Sequence, residues 1–245
     1  ELGAKVYGFS LPPPENGLFE RADISRLLEE SLYGDIGDFE TLNKALERIR
    51  PDFIFHLAAQ SSVREGLAHP LDTYRTNLMG TANLLEGVRL GGFPCTVVLV
   101  TSDKCYLNLE QETGYAEDAR LGGVEPYAGS KACCELLAET FRHSYFPEDE
   151  YGRHGVALAT ARSCNLIGGG DMQFDRLLPS ILQSLIRGEK ITLRSPDSIR
   201  PWQHVLDSLS GYLLLGERLH TRPRDFSRPY NFGPRPEDVR RVKEI

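Results

Sequence analysis

Uninterrupted apolar runs alternate along this chain with segments whose apolar residues recur every three or four positions. The runs at residues 5–11, 52–58, 96–101 and 156–167 predict strands buried on both faces. Residues 39–50 place Leu42, Ala45, Leu46 and Ile49 at helical spacing, and residues 71–90 and 127–146 predict longer helices. In the last of these, Ala132, Leu136, Leu137 and Phe141 form the apolar stripe. Strands alternating with helices imply right-handed crossovers, hence an α/β fold with a doubly wound, mostly parallel sheet.

The texture changes at Gly168-Gly169-Gly170. Beyond it, helices are expected near residues 176–187 and 205–220, with a short strand near 191–194. Residues 1–166 therefore read as the sheet domain and 167–245 as a smaller lobe at its carboxyl edge. The chain opens Glu1-Leu2-Gly3 without a methionine and closes on a charged, helix-like run over 237–245, so both ends read as cut.

Ligands of such sheets sit beyond the carboxyl ends of the strands. That rule gathers residues 56–60, 102–104 and 163–165 around one crevice. Tyr127 and Lys131, one turn apart, share a helix face. An ammonium there favours the phenolate and lowers a tyrosine pKa from its usual value of about 10, making a base for an alcohol. Ser102 can hydrogen-bond the same alcohol oxygen, and Asp103 and Lys104 add a carboxyl and an amine. Asp35, in Gly34-Asp35-Ile36-Gly37-Asp38, either caps a turn or accepts from an adenine amino group. The small residues of Leu57-Ala58-Ala59-Gln60 admit either a flat cofactor or a closely packed helix. Arg200, in Ile199-Arg200-Pro201-Trp202-Gln203-His204, either forks onto a diphosphate or stands at the surface beside Trp202. His56 reads as structural, Cys133 and Cys134 as packing residues.

At 245 residues and 40% hydrophobic the chain can bury a substantial core. A net charge of −7 argues against a general nucleic-acid binder but leaves room for a phosphorylated small molecule. The five cysteines show no metal spacing and read as reduced thiols of a cytoplasmic protein, and no apolar run is long enough to span a membrane.

The ordered segments Leu57-Ala58-Ala59-Gln60, Thr76-Asn77-Leu78-Met79-Gly80-Thr81, Thr101-Ser102-Asp103-Lys104-Cys105-Tyr106 and Tyr127-x-x-x-Lys131 resemble the extended short-chain dehydrogenase/reductases. Asn165-Leu166-Ile167-Gly168-Gly169-Gly170-Asp171 and Arg200-Pro201-Trp202-Gln203-His204-Val205 narrow the resemblance to the nucleotide-sugar 4,6-dehydratases, with CDP-glucose the favoured substrate. It extends from residue 1 to about 235. The resemblance implies a Rossmann-type NAD-binding domain over 1–166, with its first strand and Gly-rich turn missing, and a nucleotide-sugar lobe over 167–245 that is incomplete at its end. It also implies a homo-oligomer, dimer or tetramer, at work in deoxysugar or O-antigen-type polysaccharide synthesis.

Residue by residue, the resemblance assigns catalysis to Ser102, Asp103, Lys104, Tyr127 and Lys131. Ser10, Asp35, Ile36, Leu57, Ala58, Ala59, Thr76, Thr101 and Ser163 join Tyr127 and Lys131 around NAD. Phe9 and Ser10 stand where a ribose-binding carboxylate is common, which leaves NAD against NADP open. Gln60, Asn165, Arg176, Arg200, His204 and Asn231 are carried over to the substrate, and no metal is implied. Tyr127 then deprotonates the sugar 4-hydroxyl as hydride passes to NAD, Asp103 protonates the departing 6-hydroxyl, and hydride returns to carbon 6. Lys104 is either a neutral base at carbon 5 or a charged stabiliser of the enolate. A 4-epimerase or reductase of the same fold has no use for the Asp103–Lys104 pair. A non-catalytic dinucleotide-binding protein, or an inert fragment, is the remaining alternative.

Overall fold

A computed structural model of the chain describes residues 3–111, 113–171 and 176–245. Strand β1 (Tyr7–Ser10) is followed by the short helix α1 (Leu18–Arg21) and then by β2 (Glu30–Tyr33), which pairs with β1 in parallel. The hydrophobic pattern misses β2, because Glu30-Ser31-Leu32-Tyr33 is neither wholly apolar nor fully buried. Asp38 caps α2 (Phe39–Ile49) by accepting from the amides of Glu40 and Thr41, and Leu42 and Leu46 face the core.

After β3 (Phe53–His56) come α3 (Val63–Ala68), α4 (Pro70–Tyr74) and α5 (Gly80–Gly91). The single helix expected over 71–90 is therefore interrupted by a π-turn at Arg75–Met79. Inside that turn Asn77 is buried, and its amide group binds the Gln60 backbone in both directions. A bulge of this kind re-aims a side chain that a regular helix would direct elsewhere. Strand β4 (Cys95–Val100), helices α6 (Pro126–Ser144) and α7 (Tyr151–His154) and strand β5 (Val156–Ser163) complete the first two-thirds of the chain.

The expected strand over 156–167 splits at Cys164: β6 (Asn165–Ile167) leaves β5 and pairs elsewhere. Helix α8 (Leu177–Arg187) follows, and residues 191–194 form no strand. The strands of this region are instead β7 (Ile199–Arg200) and β8 (Trp202–His204), the latter pairing in parallel with β6. Helices α9 (Val205–Thr221) and α10 (Pro223–Phe226) lead to β9 (Pro229–Phe232). The run over 237–245 is not a helix but β10 (Arg240–Arg241), antiparallel to β7, between two short 3-10 turns.

The central sheet has the order β3-β4-β5-β9 and is parallel throughout. Alternation along β4 assigns its two faces. Val97 and Leu99 pack with Leu42, Leu46, Leu85 and Phe141 of α2, α5 and α6. Val98 points the other way, to Tyr212, Leu215 and Leu219 of α9. Residues 167–245 thus do not form the lobe alone, since α9 covers one face of the sheet and β9 extends its edge. Leu85, Val97 and Val98 are 0% exposed, and burial of each such side chain contributes about 1.5–3 kcal/mol. Stability is therefore concentrated at β4 and β5. Strands β1 and β3 each keep one edge unpaired among the described residues.

Candidate active site

Strand β4 ends at the turn that carries the candidate chemistry. The Ser102 hydroxyl accepts from the Lys104 amide at 3.2 Å and donates to Asp103 Oδ1 at 3.1 Å, which folds Asp103–Cys105 into a 3-10 turn. Opposite it, Pro126 opens α6 and the Glu125 carboxylate caps it, accepting from the amides of Tyr127 and Ala128. That cap fixes Tyr127 in the first turn and Lys131 one turn on, both buried. Lys131 Nζ donates to the Val100 carbonyl at 3.2 Å, and Lys104 Nζ lies 5.6 Å from the centre of the Tyr127 ring. Ser102, Asp103, Lys104, Tyr127 and Lys131 thus meet at one strand end.

The electrostatics differ from the simple tyrosine–lysine pair. Burial raises the Tyr127 phenol above its ordinary value, the Ser102 hydrogen bond and Arg176 oppose that rise, and Asp103 and Glu125 reinforce it. Lys131 is also desolvated, which lowers its pKa and weakens the charge expected to help the phenolate. Burial raises the Asp103 carboxyl against the pull of Ser102, Lys104 and Arg200. A carboxyl held toward its neutral form is suited to giving a proton. Lys104 is exposed at the rim of the turn.

Several other expected site residues are occupied by internal bonds. Thr101 Oγ1 donates to Glu135, Ser163 shares a hydrogen bond with Tyr212, and Ile36 is buried against Gly80, where a Cβ would come within 2.5 Å of it. Gln60 reaches Thr73 and the Ser62 amide, and Asn231 joins Tyr106 and the Tyr115 carbonyl. Asn165 binds the Pro201 carbonyl, and His204 caps α9. Arg176 donates to Asp171 and Ser61, and Arg200 is exposed yet close enough to Asp103 to act on its charge. Ser10 and Asp35 are exposed at the ends of β1 and β2, Leu57 is exposed, and Ala58, Ala59 and Thr76 are half-buried.

The hydrophobic pattern gave no sign of three further participants. Asn77 donates to Ser130, between Tyr127 and Lys131, and so ties the π-turn to α6. Glu135 and Arg162 form a buried ion pair behind the same helix. A charge at an otherwise apolar helix or strand position was the available signal.

The donor set suits a dinucleotide at its adenine and nicotinamide-ribose ends. The Asp35 carboxylate is open to an exocyclic amine, and an ammonium has three protons where the Val100 carbonyl takes one from Lys131. Among the described residues no cluster of His, Cys, Asp and Glu is placed to hold a metal, and no helix is long and apolar enough to cross a membrane.

A buried serine, tyrosine and lysine beside an acid–amine turn, at the carboxyl ends of a doubly wound sheet, define a nucleotide-sugar enzyme of the dehydratase type. A family profile described as GDP-mannose 4,6 dehydratase matches residues 19–227, and the chain belongs to that family. It is 47% identical over 246 residues to CDP-glucose 4,6-dehydratase of Salmonella typhimurium, covering 100% of this chain and 68% of that protein. It is 33% identical over 184 residues to dTDP-glucose 4,6-dehydratase of Streptomyces griseus, covering 74% of this chain and 51% of that protein. Among solved structures, dTDP-glucose 4,6-dehydratase from Streptomyces venezuelae with NAD and TYD bound superposes with a TM-score of 0.75 at 25% identity, over 91% of this chain and 65% of that one. UDP-glucose 4-epimerase from Thermotoga maritima shares the fold, with a TM-score of 0.78 at 20% identity over 98% of this chain and 72% of that one.

Proposed function

We propose that the protein is an NAD-dependent 4,6-dehydratase of CDP-glucose, releasing water and CDP-4-dehydro-6-deoxyglucose. The observation that carries the reading is Asp103 and Lys104 beside Tyr127 at the end of β4, because oxidation alone does not call for them. Asp35, Thr76 and Lys131 would hold NAD, which accepts a hydride from the substrate alcohol and returns it within one turnover. Tyr127 takes the proton of the 4-hydroxyl, whose oxygen Ser102 holds. The resulting ketone acidifies carbon 5. Lys104 removes that proton or stabilises the enolate, and Asp103 protonates the 6-hydroxyl so that it leaves as water. Hydride returns to carbon 6 as carbon 5 takes a proton back, so the two protons removed, from the 4-hydroxyl and carbon 5, match the two supplied, to the departing hydroxyl and carbon 5. Arg200 and Arg176 serve the diphosphate and sugar, with Asn165 and His204 nearby.

Exposed Leu67 of α3, Leu71 of α4, Met79 of the π-turn and Leu136 of α6 support pairing with a second copy. Five free cysteines are consistent with a reducing, cytoplasmic setting. The reading is tested by assaying the full chain on CDP-glucose, dTDP-glucose and GDP-mannose. Turnover of CDP-glucose to the 4-keto-6-deoxy product is expected, and 4-epimerisation without loss of water would refute it. Lys104→Met should abolish solvent-deuterium entry at carbon 5 if Lys104 is the base; undiminished entry assigns it to charge stabilisation instead.

A further inference from the structure

Thr101 and Tyr106 bracket the turn that carries Ser102, Asp103 and Lys104, and both are bonded to one buried ion pair. Arg162 of β5 and Glu135 of α6 meet at 2.8 Å, with side chains 4% and 1% exposed. Thr101 donates to one Glu135 oxygen, and Thr160 and Arg162 donate to the other. The remaining arm of Arg162 donates to the Tyr106 hydroxyl at 2.7 Å and to the Glu117 carbonyl at 2.8 Å. The guanidinium also lies 5.0 Å over the Tyr106 ring, whose hydroxyl donates to Asn231 at 2.6 Å. Burial opposes the Arg162 charge, but Glu135 and Tyr106 more than offset it and raise its pKa.

Stability alone accounts poorly for such a pair, since desolvating two charges rivals their attraction and apolar residues often serve as well. The bonds here have a definite direction. Glu135 lies one helical turn beyond Lys131 and two beyond Tyr127. One partner therefore stands on the helix of the base, while the bonds of the pair end at either side of the Ser102–Lys104 turn. We infer that Glu135 and Arg162 are positioning residues that hold this turn in register with α6, so that Ser102, Asp103 and Lys104 face Tyr127. Neither touches substrate. The kinetic consequence rests on the dehydratase reading; the structural one does not.

The turn can be released without unpairing the charges by combining Thr101→Val with Tyr106→Phe in the full chain. Backbone amides of residues 102–107 should then exchange with solvent about fivefold faster or more, while those of β5 are unchanged. Turnover should fall about 10–100-fold with KM for the nucleotide-sugar within about twofold, as misplacement of reacting groups by about an ångström predicts. Unchanged exchange in the turn overturns the inference. So does unchanged turnover despite faster exchange, or a KM that rises as much as turnover falls. Tyr106→Phe alone, which removes one oxygen and keeps the ring, is measured in parallel and decides the matter if the double variant folds poorly. Should the unmodified chain dehydrate no nucleotide-sugar, the dehydratase reading fails, and the exchange comparison still decides whether the pair holds the turn.

Discussion

Mild acid should destabilise this fold through His56, well before its carboxylates protonate. The ring lies at the end of β3, buried, with Nε2 3.0 Å from Thr81 Oγ1. The Thr81 hydroxyl donates its only proton to the Asn77 carbonyl at 2.6 Å, so His56 Nε2 carries the hydrogen and the neutral tautomer is set. Burial, with help from the Lys131 charge, pushes the imidazole down to about 3. Unfolded histidine titrates near 6.5. The folded pKa is thus depressed, and stability is complete above about pH 6.5 and lost as pH falls toward 3, where the unfolded chain gains a proton that the folded chain refuses. Between pH 7.5 and 5 the loss is about 2 kcal/mol, a large part of a typical margin of about 5–15 kcal/mol. Urea unfolding followed by circular dichroism across that range, for the unmodified chain and for His56→Asn, isolates the effect as the difference between the two. That difference should shrink by about 2 kcal/mol on acidification. A difference independent of pH would show that the folded protein protonates His56 and that the burial argument is wrong.

Asp103 carries the opposite sign. Its folded pKa is raised by burial, so it costs stability as pH rises above its unfolded value. Asp103→Asn should therefore melt higher than the unmodified chain at pH 7 and at the same temperature near pH 3, while losing dehydration; a lower melting temperature at pH 7 would contradict the desolvation. Arg200→Lys should raise KM for the nucleotide-sugar about tenfold, as loss of one charge-assisted bond of about 1.5 kcal/mol predicts, and leave turnover nearly unchanged. Equal KM values would remove Arg200 from the diphosphate. Leu85→Ala, in the densest part of the core, should cost about 2–5 kcal/mol in urea unfolding without a change in KM.

Legibility in the sequence followed burial. Strands β4 and β5 are covered on both faces, and their runs of Val, Leu and Ala announce them. The pattern failed where the backbone is only partly covered. Strand β2 is half-exposed, β7 and β8 belong to a small lobe with little core, and the 237–245 run is mostly exposed, with Val242 its buried residue. The break at Cys164 was hidden for another reason. Residues on both sides of it are strand formers, and only pairing reveals that β5 joins β9 while β6 joins β8.

The site was legible as a set of residue types but not as a set of bonds. The strand-end rule and the helical repeat, which both act locally, were enough to bring Ser102, Asp103, Lys104, Tyr127 and Lys131 to one place, while their roles came from the family resemblance. Which hydroxyls remain for a ligand depends on partners distant in sequence. Thr101 meets Glu135, Ser163 meets Tyr212, and Asn231 meets Tyr106. The same limit concealed the role of Lys131, whose amine is directed at the end of β4 while burial, not a neighbouring ammonium, dominates Tyr127. Activation of the phenol is then a property of the loaded crevice. A positive nicotinamide ring and a sugar hydroxyl beside Ser102 would add a charge and a hydrogen bond that favour the phenolate. On the proposed dehydratase reading, the two ligands together favour the Tyr127 phenolate beside the acid–amine turn that completes the elimination.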